Sequence, residues 1–243
     1  MNLLTRKLEG FATLGDDDRH LLDDIVRHVR ELPARTDLIR EGDRPDDVHL
    51  VLEGLACRYK LLPNGTRAIM AFLVPGDFCD LHIAILGEMD HAIGTLAPSR
   101  VVGIPRRGID RLLERPAIAR ALWWSTLVDE GILREWLVNL GTRDAPKALA
   151  HLFCELFARM KFVGLASEDS CDLPITQEEL SDAVGTSTVH TNRSLQELRR
   201  RGLLEFESKR LTILDPKELI RYSGFHPNYL HRRKASWDRF APD

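Results

Sequence analysis

A chain of 243 residues, 44% hydrophobic and 29% charged, has ordinary globular composition and room for two domains, which excludes disordered and fibrous classes. It holds no run of eighteen or more apolar residues, and its opening Met-Asn-Leu-Leu-Thr-Arg-Lys-Leu-Glu lacks the apolar core of a secretory leader, so a cytoplasmic protein with no membrane partner is expected. The formal net charge of −3 rules out a uniformly basic nucleic-acid binder, and any attraction to DNA must come from local clustering.

Residues 3 to 30 carry helical spacing in Leu3, Leu4 and Leu8 and again in Leu21, Leu22, Ile25, Val26 and Val29, with a break at Gly15 where Asp16 to Asp18 offer a new helix start. From Leu38 to Ile104 short apolar or alternating runs such as Val48-His49-Leu50-Val51-Leu52 are separated by turn signals at Gly42-Asp43, Glu53-Gly54, Pro63-Asn64-Gly65, Pro75-Gly76-Asp77 and Pro98-Ser99. Turns recurring about every 10 to 12 residues predict an antiparallel roll or barrel rather than βαβ units. No phosphate-binding glycine loop is present.

Pro116 opens a long helix through Leu140. Ala119, Leu122, Thr126, Leu133, Trp136 and Leu140 follow heptad-like spacing, while Ala121, Trp124, Val128 and Ile132 make a second apolar stripe. Two apolar sides call for two partners, the chain's own roll and the same helix of a second subunit, and Leu122, Thr126, Leu133, Trp136 and Leu140 are the expected dimer contacts. An ordinary core helix of a monomer is the alternative, and Asp129 interrupts the first stripe. Gly141-Thr142-Arg143-Asp144 is the expected hinge, followed by an amphipathic helix through Ala148, Leu149, Leu152, Phe153, Leu156, Phe157 and Met160.

Residues 174–204 carry the most specific signal. Thr176 and Glu179 have capping-box spacing, Leu180, Ala183 and Val184 give an apolar face, and Gly185 suits a left-handed helix stop. A second helix starting near Ser187 buries Thr191, Leu195 and Leu198, which turns Val189, Asn192, Arg193, Gln196 and Arg200 to the opposite side. Arg can fork onto guanine, Asn and Gln onto adenine, and a small apolar side chain can meet a thymine methyl. Arg199, Arg200 and Arg201 suit phosphate as well as a helix C-terminus. From Gly141 onward 16 Lys plus Arg face 15 Asp plus Glu, so the basic side chains matter by position, and two copies of the head would help affinity. Leu203 to Leu214 reads as a hairpin wing around Ser208-Lys209, Asp215-Pro216 restarts a short helix, and residues 222–243 read as an extended tail whose His231-Arg232-Arg233-Lys234 could touch phosphate.

This order of β-roll, long helix, hinge and winged helix-turn-helix resembles the Crp/Fnr family of bacterial transcription regulators across nearly the whole chain. In the first half the resemblance rests on Glu41-Gly42-Asp43, Val51-Leu52-Glu53-Gly54, Asn64-Gly65 and Phe72-Leu73-Val74-Pro75-Gly76-Asp77-Phe78. In the second it rests on Thr176-Gln177-Glu178-Glu179-Leu180, Val184-Gly185, Ser187, Asn192-Arg193 and Leu198. It implies an α+β protein with an N-terminal double-stranded β-helix, or jelly-roll, of the cyclic-nucleotide-binding kind (1–115). A dimerisation helix and hinge (116–141), a C-terminal winged helix-turn-helix (142–220) and a tail (221–243) follow. It further implies a homodimer on a palindromic double-stranded operator, contact with RNA polymerase, and a small-molecule effector. Thr176, Gln177, Ser187, Thr188, Val189, His190, Asn192, Arg193, Gln196 and Arg200 are the DNA-binding candidates. Arg193 looks like the family's base-contacting arginine, while Thr188 and Val189 stand where many members carry charge.

The effector candidates are Phe72, Cys79, Asp80, Leu81, His82, His91 and Ala92. Cyclic-AMP-binding members place Gly-Glu and Arg-Ser pairs where this chain has Asp80-Leu81 and His91-Ala92. Leucine accepts no hydrogen bond and a neutral imidazole poorly replaces a bidentate guanidinium, so cyclic AMP is not expected. The iron-sulfur branch needs N-terminal cysteines, and none precedes Cys57. Cys79-Asp80-Leu81-His82 resembles the place where haem-containing members carry Cys and His ligands, which makes a haem-based sensor an alternative; a buried thiol and a hydrogen-bonded histidine are the plainer reading. Cys57, Cys79, Cys154 and Cys171 are scattered, show no zinc-like spacing and read as buried free thiols. A regulatory module acting on a protein partner would not need the winged head. Asp90-His91 or Cys79 with His82 could be drawn as catalytic pairs, but no supporting enzyme motif accompanies them, and no enzyme is expected.

Overall fold

Two short helices open the chain, α1 (Leu3–Glu9) and α2 (Asp16–Ile25), in a computed structural model that describes residues 2–231. Asn2 caps α1 through its side chain, and Asp18 reaches back to the Gly15 N–H at 3.1 Å to close the start of α2. Helical spacing does not extend to Val29 as expected: α2 stops at Ile25, and Val29 begins a strand paired with Val102. Its β-branched side chain merely falls in phase with the helix that precedes it.

The strands that follow are β1 (Val29–Leu32), β2 (Asp37–Ile39), β3 (Asp47–Glu53), β4 (Ala56–Leu61) and β5 (Arg67–Leu73), then β6 (Ala92–Thr95) and β7 (Ser99–Pro105). They form two antiparallel sheets, ordered β1-β7-β3 and β2-β6-β4-β5, which make the N-terminal β-roll. A one-turn helix, α3 (Ile83–Leu86), lies in the connection from β5 to β6. The roll's interior is filled by Val48, Leu50, Val51, Phe72, Ile93, Val101 and Ile104, all buried. Lys7 reaches from α1 to the buried Asp77 carboxylate at 2.5 Å, and Asp77 also accepts the Val74 N–H at 2.9 Å, which fixes the Pro-Gly-Asp turn.

Helix α4 (Arg106–Leu113) leads into α5 (Pro116–Thr142). Two compact units divide between Asp129 and Glu130, inside α5. The exposed face of α5 differs from expectation: Thr126, Leu133 and Leu140 are exposed, whereas Leu122 and Trp136 are only 2% and 4% exposed. Trp136 donates from its indole to the buried Glu155 carboxylate at 3.2 Å. On a straight helix the heptad series runs along the border between buried and outer sides, because the outward stripe is Trp123, Leu127, Leu137 and their neighbours.

The second unit contains α6 (Ala145–Phe162), β8 (Ser170–Asp172), α7 (Gln177–Val184), α8 (Thr188–Arg200), β9 (Leu204–Glu207), β10 (Arg210–Ile213) and α9 (Pro216–Ser223). Gly141 and Thr142, assigned to the hinge, are the last residues of α5, and Asp144 caps α6. The expected tail is also corrected. Residues 227–230 form a 3₁₀ turn, and Phe225, Tyr229 and Leu230 are buried, with Tyr229 donating to Glu155 at 3.1 Å. A Cβ on Gly131 would lie 2.9 Å from the Tyr229 carbonyl oxygen, so the helix needs a bare backbone where this turn approaches. Arg232, Arg233 and Lys234 lie outside the described residues. No helix among the described residues is long and apolar enough to cross a membrane.

Candidate DNA-reading head and effector pocket

The head is built locally. Thr176 accepts the Glu179 N–H at 3.2 Å while the Glu179 carboxylate accepts the Thr176 N–H at 2.7 Å, so the capping box is complete. Gly185, at φ +65°, ends α7, and its N–H donates to the Ser181 carbonyl. Ser187 then caps α8 by accepting the His190 N–H at 3.3 Å. Thr191, Ser194, Leu195 and Leu198 are buried, while Thr188, Val189, His190, Arg193, Gln196 and Arg200 are exposed and Asn192 is half-buried. The wing is the β9–β10 hairpin, to which β8 adds a third strand that the sequence reading missed. Ser208 and Lys209 take φ +51° and +62°, the geometry of a two-residue primed turn, and put Lys209 at an exposed tip.

Chemistry on the outer face of α8 separates into tied and untied side chains. Asn192 donates to Gln177 at 3.0 Å and accepts from Gln196 at 3.2 Å, which links Gln177 to the face that the second helix presents. Arg199 pairs with Glu207 of the wing, and Arg201 pairs with Glu197 at 2.8 Å and lies over the Tyr222 ring. Of the triple arginine, Arg200 is the side chain without a partner among the described residues, and Arg193 likewise has none. A groove of ≈ 330 Å³ lies between α8 and the wing, lined by Gln177, Asn192, Gln196, Arg199 and Phe206 among others.

Beneath the head sits a buried polar cluster on α6. Glu155 is enclosed completely and accepts from Trp136, Tyr229 and Arg159; burial pushes its carboxyl above the usual range, against the pull of Arg159. His151 is fully buried, and burial with help from the Arg143 charge lowers it to about 3. Its Nε2 lies 3.3 Å from Glu135 without hydrogen-bond geometry. These groups tie α6 to the second half of α5 and to the turn at Tyr229.

The expected effector residues fall into two sets. Phe72, Cys79 and Asp80 are wholly buried and present no surface to a ligand. Asp80 is committed to His49, accepting its backbone N–H at 2.6 Å and holding its Nδ1 at 2.8 Å. Leu81 and His82 are half-buried, and His91 and Ala92 stand at the edge of β6, each 8% exposed. The rings of His82 and His91 come within 5.5 Å, and Asp90 holds His91 Nδ1 at 2.6 Å, which lowers the Asp90 carboxyl. Burial lowers both His82 and His91, and the Arg58 charge adds to it. Arg58 itself was not anticipated. Its guanidinium donates to the Phe78 and Cys79 carbonyls and to Asp129 at 3.1 Å, a basic group in mid-strand whose distant partners leave no local signal.

Haem does not fit the Cys79 and His82 pair. The Cys79 thiol is fully enclosed and burial pushes it well up, away from the thiolate that would ligate iron. Cyclic AMP is no better served, since Leu81 offers no acceptor and His91 Nδ1 is engaged by Asp90.

A winged helix-turn-helix with a polar, basic outer helix face, carried on one chain with a β-roll, defines a DNA-binding regulator with a separate effector-binding module. Residues 147–222 match the Crp-like helix-turn-helix domain family and residues 29–116 the cyclic nucleotide-binding domain family. The transcriptional activator protein FnrL of Cereibacter sphaeroides is 26% identical over 206 residues, 82% of each chain. The nitrogen fixation regulation protein FixK of Bradyrhizobium diazoefficiens is 27% identical over 177 residues, 72% of this chain and 73% of its own. The solved structure of FixK2 from Bradyrhizobium japonicum matches with a TM-score of 0.71 at 22% identity, covering 80% of this chain and 96% of its own. The chain belongs to the Crp/Fnr family of transcription regulators, whose members are DNA-binding factors and not enzymes.

Proposed function

We propose that the protein is a cytoplasmic, homodimeric regulator that reads a palindromic operator with α8 of each subunit in a major groove, the two heads spaced about 34 Å apart. The observation that carries this reading is the division of α8, with Thr191, Leu195 and Leu198 buried and an unpaired Arg193 exposed beside the Asn192 amide. On this reading Arg193 and the amides meet base edges, while Ser187, Thr188, His190, Arg200, Thr176 and the wing's Lys209 lie toward phosphates. Pairing uses the outward stripe of α5, with Trp123 and Leu127 in one unit and Leu133, Leu137 and Leu140 in the other. Residues 1–115 sense, 116–141 pair, and 142–220 read DNA, the last supported by the turn through Leu230. Effector binding at the roll favours the dimer geometry that fits the operator, where the protein meets RNA polymerase.

The test is a gel shift with wild-type protein and Arg193→Ala on the same selected site. The expected result is a loss of about 10- to 100-fold in affinity and relaxed preference at one base pair. Full, sequence-selective binding by the variant would remove Arg193 from the readout.

A further inference from the structure

The loop from Asp80 to His91 is pinned at both ends. Asp80 is tied to His49 by two bonds, and Met89 accepts the Gly42 N–H at 2.7 Å and donates to the Asp43 carbonyl at 2.9 Å. Between these anchors the chain turns back on itself. His82, at the start of α3, and His91, at the edge of β6, stand with ring centroids 5.5 Å apart, and one donor atom from each of His82, Asp90 and His91 lies within 4.8 Å of the others.

The Nε2 atoms of both rings are buried, and neither finds a hydrogen-bond partner. Folding normally does not leave such atoms empty, because each has lost water and gained nothing. His91 Nδ1, by contrast, is held by Asp90 at 2.6 Å, which keeps the ring proton on Nδ1 and leaves a lone pair on Nε2. A carboxylate behind one ring nitrogen and an unpartnered second nitrogen in front is the arrangement of a metal-ligating histidine. The positive charges that act on these rings are Arg58 and, at His91, Lys60; the Arg58 guanidinium is bound by two carbonyls and Asp129, and Lys60 pairs with Glu41.

We propose that His82 and His91 bind one divalent first-row transition-metal ion of the zinc, cobalt or nickel kind through their Nε2 atoms, with Asp90 orienting His91 and the remaining positions left to water. Imidazole nitrogens suit these ions. Nitrogens bound at about 2.0–2.1 Å to one tetrahedral ion stand about 3.3–3.4 Å apart, so donor atoms that now lie within 4.8 Å of one another close by about 1.5 Å at most. This deepens the reading of the loop as the effector region and rests on that reading for its regulatory meaning. Ion binding itself does not depend on DNA recognition.

The experiment uses the full chain, stripped with a chelator, dialysed and titrated with Co²⁺ by visible absorption and with Zn²⁺ by competition. The expected result is one ion per chain with ligand-field bands of a nitrogen and oxygen site. His82→Ala and His91→Ala each weaken binding by about 100-fold or more, and Asp90→Asn by about 10- to 100-fold. Asp90 is exposed, so Asp90→Asn keeps the test valid if either histidine variant fails to fold. No stoichiometric ion, or an ion held equally by wild type, both histidine variants and Asp90→Asn, overturns the site. Binding of the stripped protein to its selected DNA is measured alongside: metal binding absent with DNA binding intact rejects the site alone, and DNA binding absent with metal binding intact rejects the regulator reading alone.

Discussion

The Asn192 side-chain amide donates to the Gln177 side-chain carbonyl at 3.0 Å, joining the first turn of α7 to the outer face of α8. Gln196 donates to the Asn192 carbonyl at 3.2 Å, so three amides form one chain whose free donors and acceptors match the edge of adenine. Asn192→Ala is expected to cost about 1–3 kcal/mol of specific binding, roughly 5- to 150-fold, and to relax preference at one position, measured by competition among single-base variants of the selected site.

Arg200 tests the other half of the interface. It is unpaired, whereas Arg199 and Arg201 are held by Glu207 and Glu197. Arg200→Ala is expected to weaken binding nearly equally on all sequences and to lower the salt slope of log K by about 1, read from anisotropy titrations over a salt series.

The pairing helix gives a contrast between two kinds of substitution. Leu137 is 63% exposed and Trp123 69%, while Leu122 and Trp136 are buried within their own units. Leu137→Asp is expected to shift sedimentation from dimer to monomer with the fold retained. Trp136→Ala is expected to cost about 3–5 kcal/mol of stability, because it empties a packed site and removes a donor from buried Glu155. Loss of dimer on neither Leu137→Asp nor Trp123→Asp would remove the outward stripe from the interface.

Two threonines in the head carry opposite predictions. Thr176→Ala removes the cap of α7 and is expected to destabilise by about 1 kcal/mol. Thr191 is fully buried with a hydroxyl that has no partner, so Thr191→Val should be neutral or stabilising in urea unfolding.

His151 sets an acid limit. Its folded-state value of about 3 lies below the ordinary 6.5, so the unfolded chain binds the extra proton between these values, and stability falls as pH drops below about 6.5. The groups facing His151 are Glu135, Arg143 and Asn139, and neighbouring Glu155, raised by burial, acts with the opposite sign. Subtracting His151→Gln from wild type isolates the histidine: wild type should lose about 2 kcal/mol more than the variant between pH 6.5 and 5, measured by urea unfolding.

What could be read in the sequence follows the range of the interactions. The Thr176–Glu179 box, the Gly185 stop, the Ser187 cap and the i, i+4, i+7 burial of α8 all act within a few residues, and each is found where the spacing placed it. The roll's turns were legible for the same reason. His49 with Asp80, Arg58 with Asp129, and Tyr229 with Glu155 join residues 31, 71 and 74 apart, and no local pattern announces them. Cys79 is the buried free thiol that its plainer reading expects, whereas Asp80, a loop carboxylate among the effector candidates, is enclosed by long-range packing on His49 that no local pattern announces. On α5 periodicity found two apolar sides but set the dimer stripe a fraction of a turn from the exposed one, since Leu122 and Trp136 belong to the interior.

Selection of bound sites from random double-stranded DNA by the purified protein decides whether paired α8 helices read a palindrome through Arg193. The expected outcome is enrichment of an inverted repeat whose half-site centres are about 10–10.5 base pairs apart, with preference at the base pair read by Arg193 lost when selection is repeated with Arg193→Ala. Recovery of no enriched repeat from DNA-competent, folded protein, or of the same repeat with undiminished preference in the variant, would contradict it.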